Sequence, residues 1–149
     1  MNSIYDKASN DAMIARINSL TSESKPLWGK MSVAQMLRHC KLASEVAFGK
    51  MDLKINFLMK FLGKLLKKKV FYGGDMGKNS PTAKEFIITE NLDLETTKKE
   101  LIVNISRFSS EGKTSIQLTE HPFWGKMTHE DWDALMWKHL DHHLRQFGV

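Results

Sequence analysis

The stretch that decides the fold is the last one, Trp132 to Val149, which reads WDALMWKHLDHHLRQFGV. At about 100° per residue, a helix through it gathers Trp132, Leu135, Met136, His139, Leu140, His143 and Phe147 on one side. Asp133, Lys138, Asp141 and Arg145 take the other side, with His142 at the boundary. His139 and His143 are four residues apart, so their imidazoles stand one turn above each other inside the stripe that faces the interior. Two adjacent buried imidazoles without partners are costly, and a shared cation removes that cost. The pair therefore reads as two thirds of a metal site; a hydrogen-bonded pair near a helix end is the plainer alternative. Leu140, not Glu, follows His139, so the H-E-x-x-H signature of a metalloprotease is missing.

Working outward, Thr128 caps this helix with Asp131 at its third position, and HPFWGK (121–126) forms a turn before it. An echo lies upstream. Trp124-Gly125-Lys126-Met127-Thr128 repeats Trp28-Gly29-Lys30-Met31-Ser32, and each copy leads into a helix capped by its hydroxyl residue. In the first copy Gln35 completes a capping box. The helix that follows has the apolar stripe Val33, Met36, Leu37, Cys40, Ala43, Ala47 and Phe48, with His39 at its edge. His39 lies 11 residues after Trp28, while His139 and His143 lie 15 and 19 after Trp124. These offsets differ by helical steps of four, so two helices that start alike and pack side by side can bring the three histidines together. The repeat is equally consistent with chance, or with a favourable entry turn in which tryptophan staples the helix start. His39 is the best third ligand because it is the other histidine inside a helix beside an apolar stripe. His121, before a proline in a turn, and His129, in a first helical turn, are expected at the surface.

The rest of the chain also reads as helical. Residues 9–20 have Ser9 or Asn10 as N-cap and Met13, Ile14, Ile17 and Leu20 at helical spacing. Residues 21–30 form a loop containing Pro26 and Gly29, and 93–108 form a helix with Leu94, Leu101, Ile105 and Phe108 on one face. Between Asp52 and Val70 a third helix places Ile55, Leu58, Met59, Leu62, Leu65 and Leu66 opposite Lys60, Lys64 and Lys67, interrupted by Gly63. Residues 71–85, with three glycines and Pro81, are the longest loop and a candidate lid. Thr114–Leu118 reads as strand or loop, and no segment alternates with period two. The predicted fold is all-α: a four-helix bundle with a short extra N-terminal or connecting helix, in one domain over 1–149.

Composition narrows the classes. Apolar residues make up 42% and charged residues 26%, which is ordinary for a globular chain with a real core. The single Cys40 excludes an intramolecular disulfide, the N-terminus lacks a signal-peptide core, and no segment reaches the ~20 apolar residues of a membrane span. These features predict a cytoplasmic protein. Cys40 sits mid-stripe, about 100° from His39 around the helix, so it reads as a small hydrophobe and not as a nucleophile. Trp28, Trp124, Trp132 and Trp137 read as core and entry-turn residues. The net charge of +5 is concentrated between Lys50 and Lys69, where seven lysines face one opposing acid, Asp52. A basic amphipathic helix can lie on an anionic membrane or touch phosphates. The plainer reading is a solvated lysine face whose apolar side turns to the bundle; an intermediate reading has some lysines attracting the carboxylates of an anionic thiol. Few aromatics or arginines of the nucleic-acid-reading kind accompany it, so no nucleic-acid partner is expected.

The combination of W-G-K-M-S and M-L-R-H-C around the second helix with K-H-L-D-H-H-L-R-Q-F-G at the end resembles the DinB/YfiT-like superfamily. It is most similar to an uncharacterised branch of that superfamily ending in the same way. The resemblance spans nearly the whole chain and implies a bundle that binds a divalent ion through His39, His139 and His143. It also places Gln146 on the family's trailing glutamine, a weak candidate for supporting the ligands or touching substrate. Leu144-Arg145 departs from the usual Arg-Gly, and the lysine-rich helix departs from the family pattern, which leaves the substrate open. Zinc or nickel is the first expectation and iron the next. By resemblance, the activity expected is a metal-dependent thiol S-transferase or hydrolase acting on small molecules, with a low-molecular-weight thiol as co-substrate. A non-catalytic metal-binding bundle of structural or stress-related role is the alternative. The expected partners are a small-molecule substrate and, in assembly, a homodimer.

Overall fold

The computed structural model describes residues 2–149. Its five α-helices are α1 (Lys7–Ser19), α2 (Val33–Ala47), α3 (Phe57–Tyr72), α4 (Leu94–Glu111) and α5 (His129–Gln146). Each begins at a side-chain cap that satisfies an otherwise orphaned backbone donor. Asp6, not Ser9 or Asn10, caps α1 by accepting from the Ser9 amide, so the helix starts earlier than the periodicity suggests. Asn10 is instead fully buried, and its Nδ2 donates to the carbonyls of Ile4 and Ile105, tying α1 to α4. Ser32 and Thr128 both close capping boxes, with Gln35 and Asp131 respectively. Asp93 caps α4, which runs on past Phe108 to Glu111.

The core lies where α4 packs on α1 and α2, and α5 packs on α2 and α1. Met13 and Ile17, Met36 and Leu37, Leu101 and Phe108, and Leu144 are fully withdrawn from solvent there. Cys40 shares this core beside the Met36 sulfur, and burial pushes its thiol pKa up, as expected of an inert hydrophobe. A two-residue antiparallel ladder, β1 (Glu120–His121) with β2 (Gly125–Lys126), closes the turn before α5. Thr114–Leu118 forms no strand: a 3₁₀ turn covers Gly112–Ser115, and the amide of Gln117 donates to Ala47.

The third helix departs most from expectation. It starts at Asn56, whose side chain accepts from the Met59 amide, and residues 50–56 are not helical. Its faces are also inverted. Lys67 pairs with Asp131 at 2.6 Å and Lys60 pairs with Glu120 at 2.9 Å, so much of the lysine side packs on the protein body. Gly63, between them, is buried; a Cβ there would stand 2.1 Å from the Phe123 carbonyl oxygen. Its lack of a side chain is what admits the close approach. Of the side expected in the core, Leu58, Leu62, Leu65 and Leu66 are exposed, as is the neighbouring Phe61, while Ile55 and Met59 are partly buried.

The segment after α3 is fastened to α5. Lys138 donates to the carbonyls of Val70, Gly73 and Gly74, and Arg145 pairs with Asp75 at 3.0 Å. No helix among the described residues is long and apolar enough to cross a membrane.

Candidate metal centre

α2 and α5 start from the same turn. Gly29 and Gly125 both hold positive φ, at +80° and +74°, and each leads into a capping box. With the starts matched and the helices packed together, the offsets of four become spatial alignment.

The side chains of His39, His139 and His143 meet, each offering a ring nitrogen within 4.8 Å of the others. His39 Nε2 stands 3.0 Å from His139 Nε2. The ring centroids are separated by 4.9 Å for His39 and His139, and by 4.7 Å for each pair involving His143.

Neighbours fix how the rings are protonated. His39 Nδ1 faces the Phe86 carbonyl at 3.3 Å, and a carbonyl only accepts, so Nδ1 carries the hydrogen and Nε2 keeps its lone pair. His143 Nδ1 lies 2.8 Å from Gln146 Oε1. The amide orientation of Gln146 is set at its other end, where Nε2 donates to the Trp28 carbonyl at 2.7 Å. His143 therefore also donates through Nδ1 and turns Nε2 toward the cluster. A backbone bond from Leu27 to the Gln146 carbonyl, 2.7 Å, clamps the same junction. Gly29 completes it: a Cβ there would come 2.7 Å from Gln146 Nε2.

Burial disfavours a charged imidazole, and the cluster follows that rule. It lowers His39, outweighing the opposing Phe86 bond, and His142 adds to the lowering. It holds His139 well below the usual imidazole range, reinforced by His143 and His39. His143 is pushed down to about 3, by burial first and then by His39. Three neutral imidazoles are the ligand form, and two carry the Nδ1–H···O bond that typically orients metal-bound histidine. Zinc bonds of 2.0–2.1 Å in a tetrahedron separate nitrogens by about 3.3 Å, close to the observed 3.0 Å pair. The donor set thus fits a divalent ion.

The other histidines stay apart. His121, expected at the surface, is buried: its Nδ1 accepts from the amides of Phe123 and Trp124 at 3.0 and 3.3 Å, and its ring packs on Trp132. The ladder folds this turn inward, and burial pushes His121 down to about 4. His129 is exposed, as expected. His142 packs against Trp28, with centroids 5.5 Å apart. Two contributors that sequence reasoning missed are the carbonyls of Phe86 and Trp28, backbone groups without a side-chain signature. Gln146, reached only through resemblance, is buried and in contact with His143.

Residues 5–148 match the model of a family described as "Protein of unknown function (DUF1569)". No curated protein and no solved structure matches the chain.

Proposed function

Since the chain belongs to the DUF1569 family, whose description assigns no activity, its chemistry has to be read from its own site, and we propose that it is a divalent-metal-binding protein of the DinB-like superfamily. The observation that carries this is the convergence of His39, His139 and His143, with the Nδ1 atoms of His39 and His143 both tied to oxygen. In this reading α1, α2, α4 and α5 form the family's four-helix bundle within one domain, and α3 is the added helix. Zinc or nickel fits the imidazole set best, with iron next.

The reaction class we infer is metal-dependent thiol S-transfer or hydrolysis of a small molecule. The chemistry an ion held by three neutral ligands would supply is Lewis acidity, acidifying a thiol or water at its open positions. The protein's own part is orientation. Phe86 holds His39, and Gln146 holds His143 against the Trp28 carbonyl. His139 remains half-buried and gives the cluster its most solvent-accessible edge. A second reading, a non-catalytic metal staple between α2 and α5, is favoured by one observation. His39 lies on α2 and His139 and His143 on α5, so an ion held by all three would tie these two helices together.

Elemental mass spectrometry on untagged protein tests the metal. About one divalent ion per chain is expected, lost in His139→Ala and in His143→Ala. Failure to hold zinc or nickel after reloading would make the histidines packing groups and remove the enzyme reading with them. Calorimetric titration of loaded protein with glutathione, mycothiol and bacillithiol separates the two roles: binding of one supports transfer chemistry, and binding of none supports the staple.

A further inference from the structure

Helix α3 presents its apolar side outward, and the contacts that hold it leave that side uncovered. Phe57 is 86% exposed, Leu58 72%, Phe61 53% and Leu65 64%. Leu58, Phe61, Leu62 and Leu65 recur at steps of three and four, so they form one continuous strip and not scattered surface residues. The same strip continues to Lys68 and Lys69, and the helix ends at Tyr72, whose hydroxyl donates to Asp131 at 2.7 Å on the body side. Lys68 and Lys69 are exposed, and among the described residues neither has a carboxylate within ion-pair distance, whereas the Lys64 stem lies against Gly125 on the body side. The helix contains no acidic residue.

From this arrangement we propose that α3 docks this protein on the surface of an anionic lipid bilayer. The apolar strip enters the boundary between headgroups and acyl chains, and the unpaired lysines meet lipid phosphates. The exposed rings of Phe57 and Phe61 suit that boundary, where aromatic rings concentrate. Lysine stems can lie along apolar surface while their ammonium groups reach outward, which suits Lys68 and Lys69 to this boundary. Docking requires no unfolding, because Gly63, Lys60 and Lys67 hold the helix from the opposite side. The contact is interfacial, since α3 is too short and too charged to span. A second copy is the poorer occupant: pairing α3 with α3 would bring unpaired lysines together with no carboxylate on either helix to offset them. This proposal is independent of the metal reading.

The test is co-sedimentation of the full-length protein with vesicles of phosphatidylglycerol mixed with phosphatidylcholine, and with phosphatidylcholine alone. Binding is expected on the anionic vesicles and about tenfold or more weaker on the neutral ones. It should weaken similarly at about 0.5 M salt, where screening is short-ranged. The double variant Leu58→Glu/Leu65→Glu should lose binding with an unchanged circular dichroism spectrum, because both side chains are exposed. Lys68→Gln/Lys69→Gln should weaken binding roughly tenfold or more. Sedimentation no greater than in lipid-free controls would overturn the proposal, as would undiminished binding of the leucine variant. A dimer in analytical ultracentrifugation that the leucine variant abolishes, with no lipid binding by wild type, would assign the face to a second copy instead.

Discussion

Gln146 is the residue on which the cluster turns. One amide group accepts from His143 and donates to the Trp28 carbonyl, so the orientation of the His143 ring depends on the loop that opens α2. Removing a group that orients a metal-bound histidine typically costs 10–100-fold in affinity. Gln146→Leu should therefore weaken metal binding by roughly that range in competition with a chromogenic chelator. Gln146→Glu keeps the acceptor for His143 but loses the donor to Trp28, so it should fall between. Gly29→Ala should act on the same junction twice, through strain at φ +80° and through the 2.7 Å encounter with Gln146 Nε2. Unchanged metal affinity in Gln146→Leu would show that His143 is held by packing alone. At this scale the histidines were legible because side-chain spacing on a helix encodes direction. The Phe86 and Trp28 carbonyls were not, because every residue has a carbonyl and only the folded path decides which one faces a ring.

Among the elements, α2 and α5 were legible to their capping residues, since Ser32 with Gln35 and Thr128 with Asp131 are local signals. The third helix shows where periodicity stops being informative. It divides a helix into two faces but does not say which face turns inward, and here the partners that decide are Glu120, Phe123 and Asp131, remote in sequence. The glycine that looked like an interruption is the docking point. Gly63→Val would force atoms into the Phe123 backbone and draw Lys60 and Lys67 away from their carboxylates. Overpacking of this kind costs about 1–3 kcal/mol, and α3 should become the first site of limited proteolysis, within 57–72. A variant with wild-type melting temperature and protease resistance would show that the ion pairs alone hold the helix. Its exposed apolar side follows from the same docking, because the contact that anchors α3 uses the arc opposite the leucines.

For the molecule as a whole, buried neutral imidazoles make stability depend on pH. His39, His121, His139, His142 and His143 all lie below their usual range, with burial the first cause in each. In the unfolded chain they would titrate near 6.5. Below that pH the unfolded state binds protons that the native state refuses, so stability rises with pH. It is therefore complete above about 6.5 and is lost progressively as the pH falls. The share due to His121 levels off near its folded value of about 4, and that of His143 near about 3. For His121 the gap from about 6.5 down to about 4 corresponds to a loss on the order of 3 kcal/mol. His121 lies outside the cluster of His39, His139 and His143, so its contribution can be isolated. Denaturant unfolding of chelator-treated protein at pH 7 and pH 5 should show wild type losing stability, and His121→Gln losing distinctly less. An equal loss in both would mean that His121 is solvated in the native state and that the ladder over it opens. On the proposed metal reading, an ion would add to the dependence, because ligand histidines must be neutral to bind and an ion that binds only the folded chain stabilises it. The loaded protein should therefore be more stable at pH 7 and fall more steeply with acid, converging on the metal-free curve once protons displace the ion.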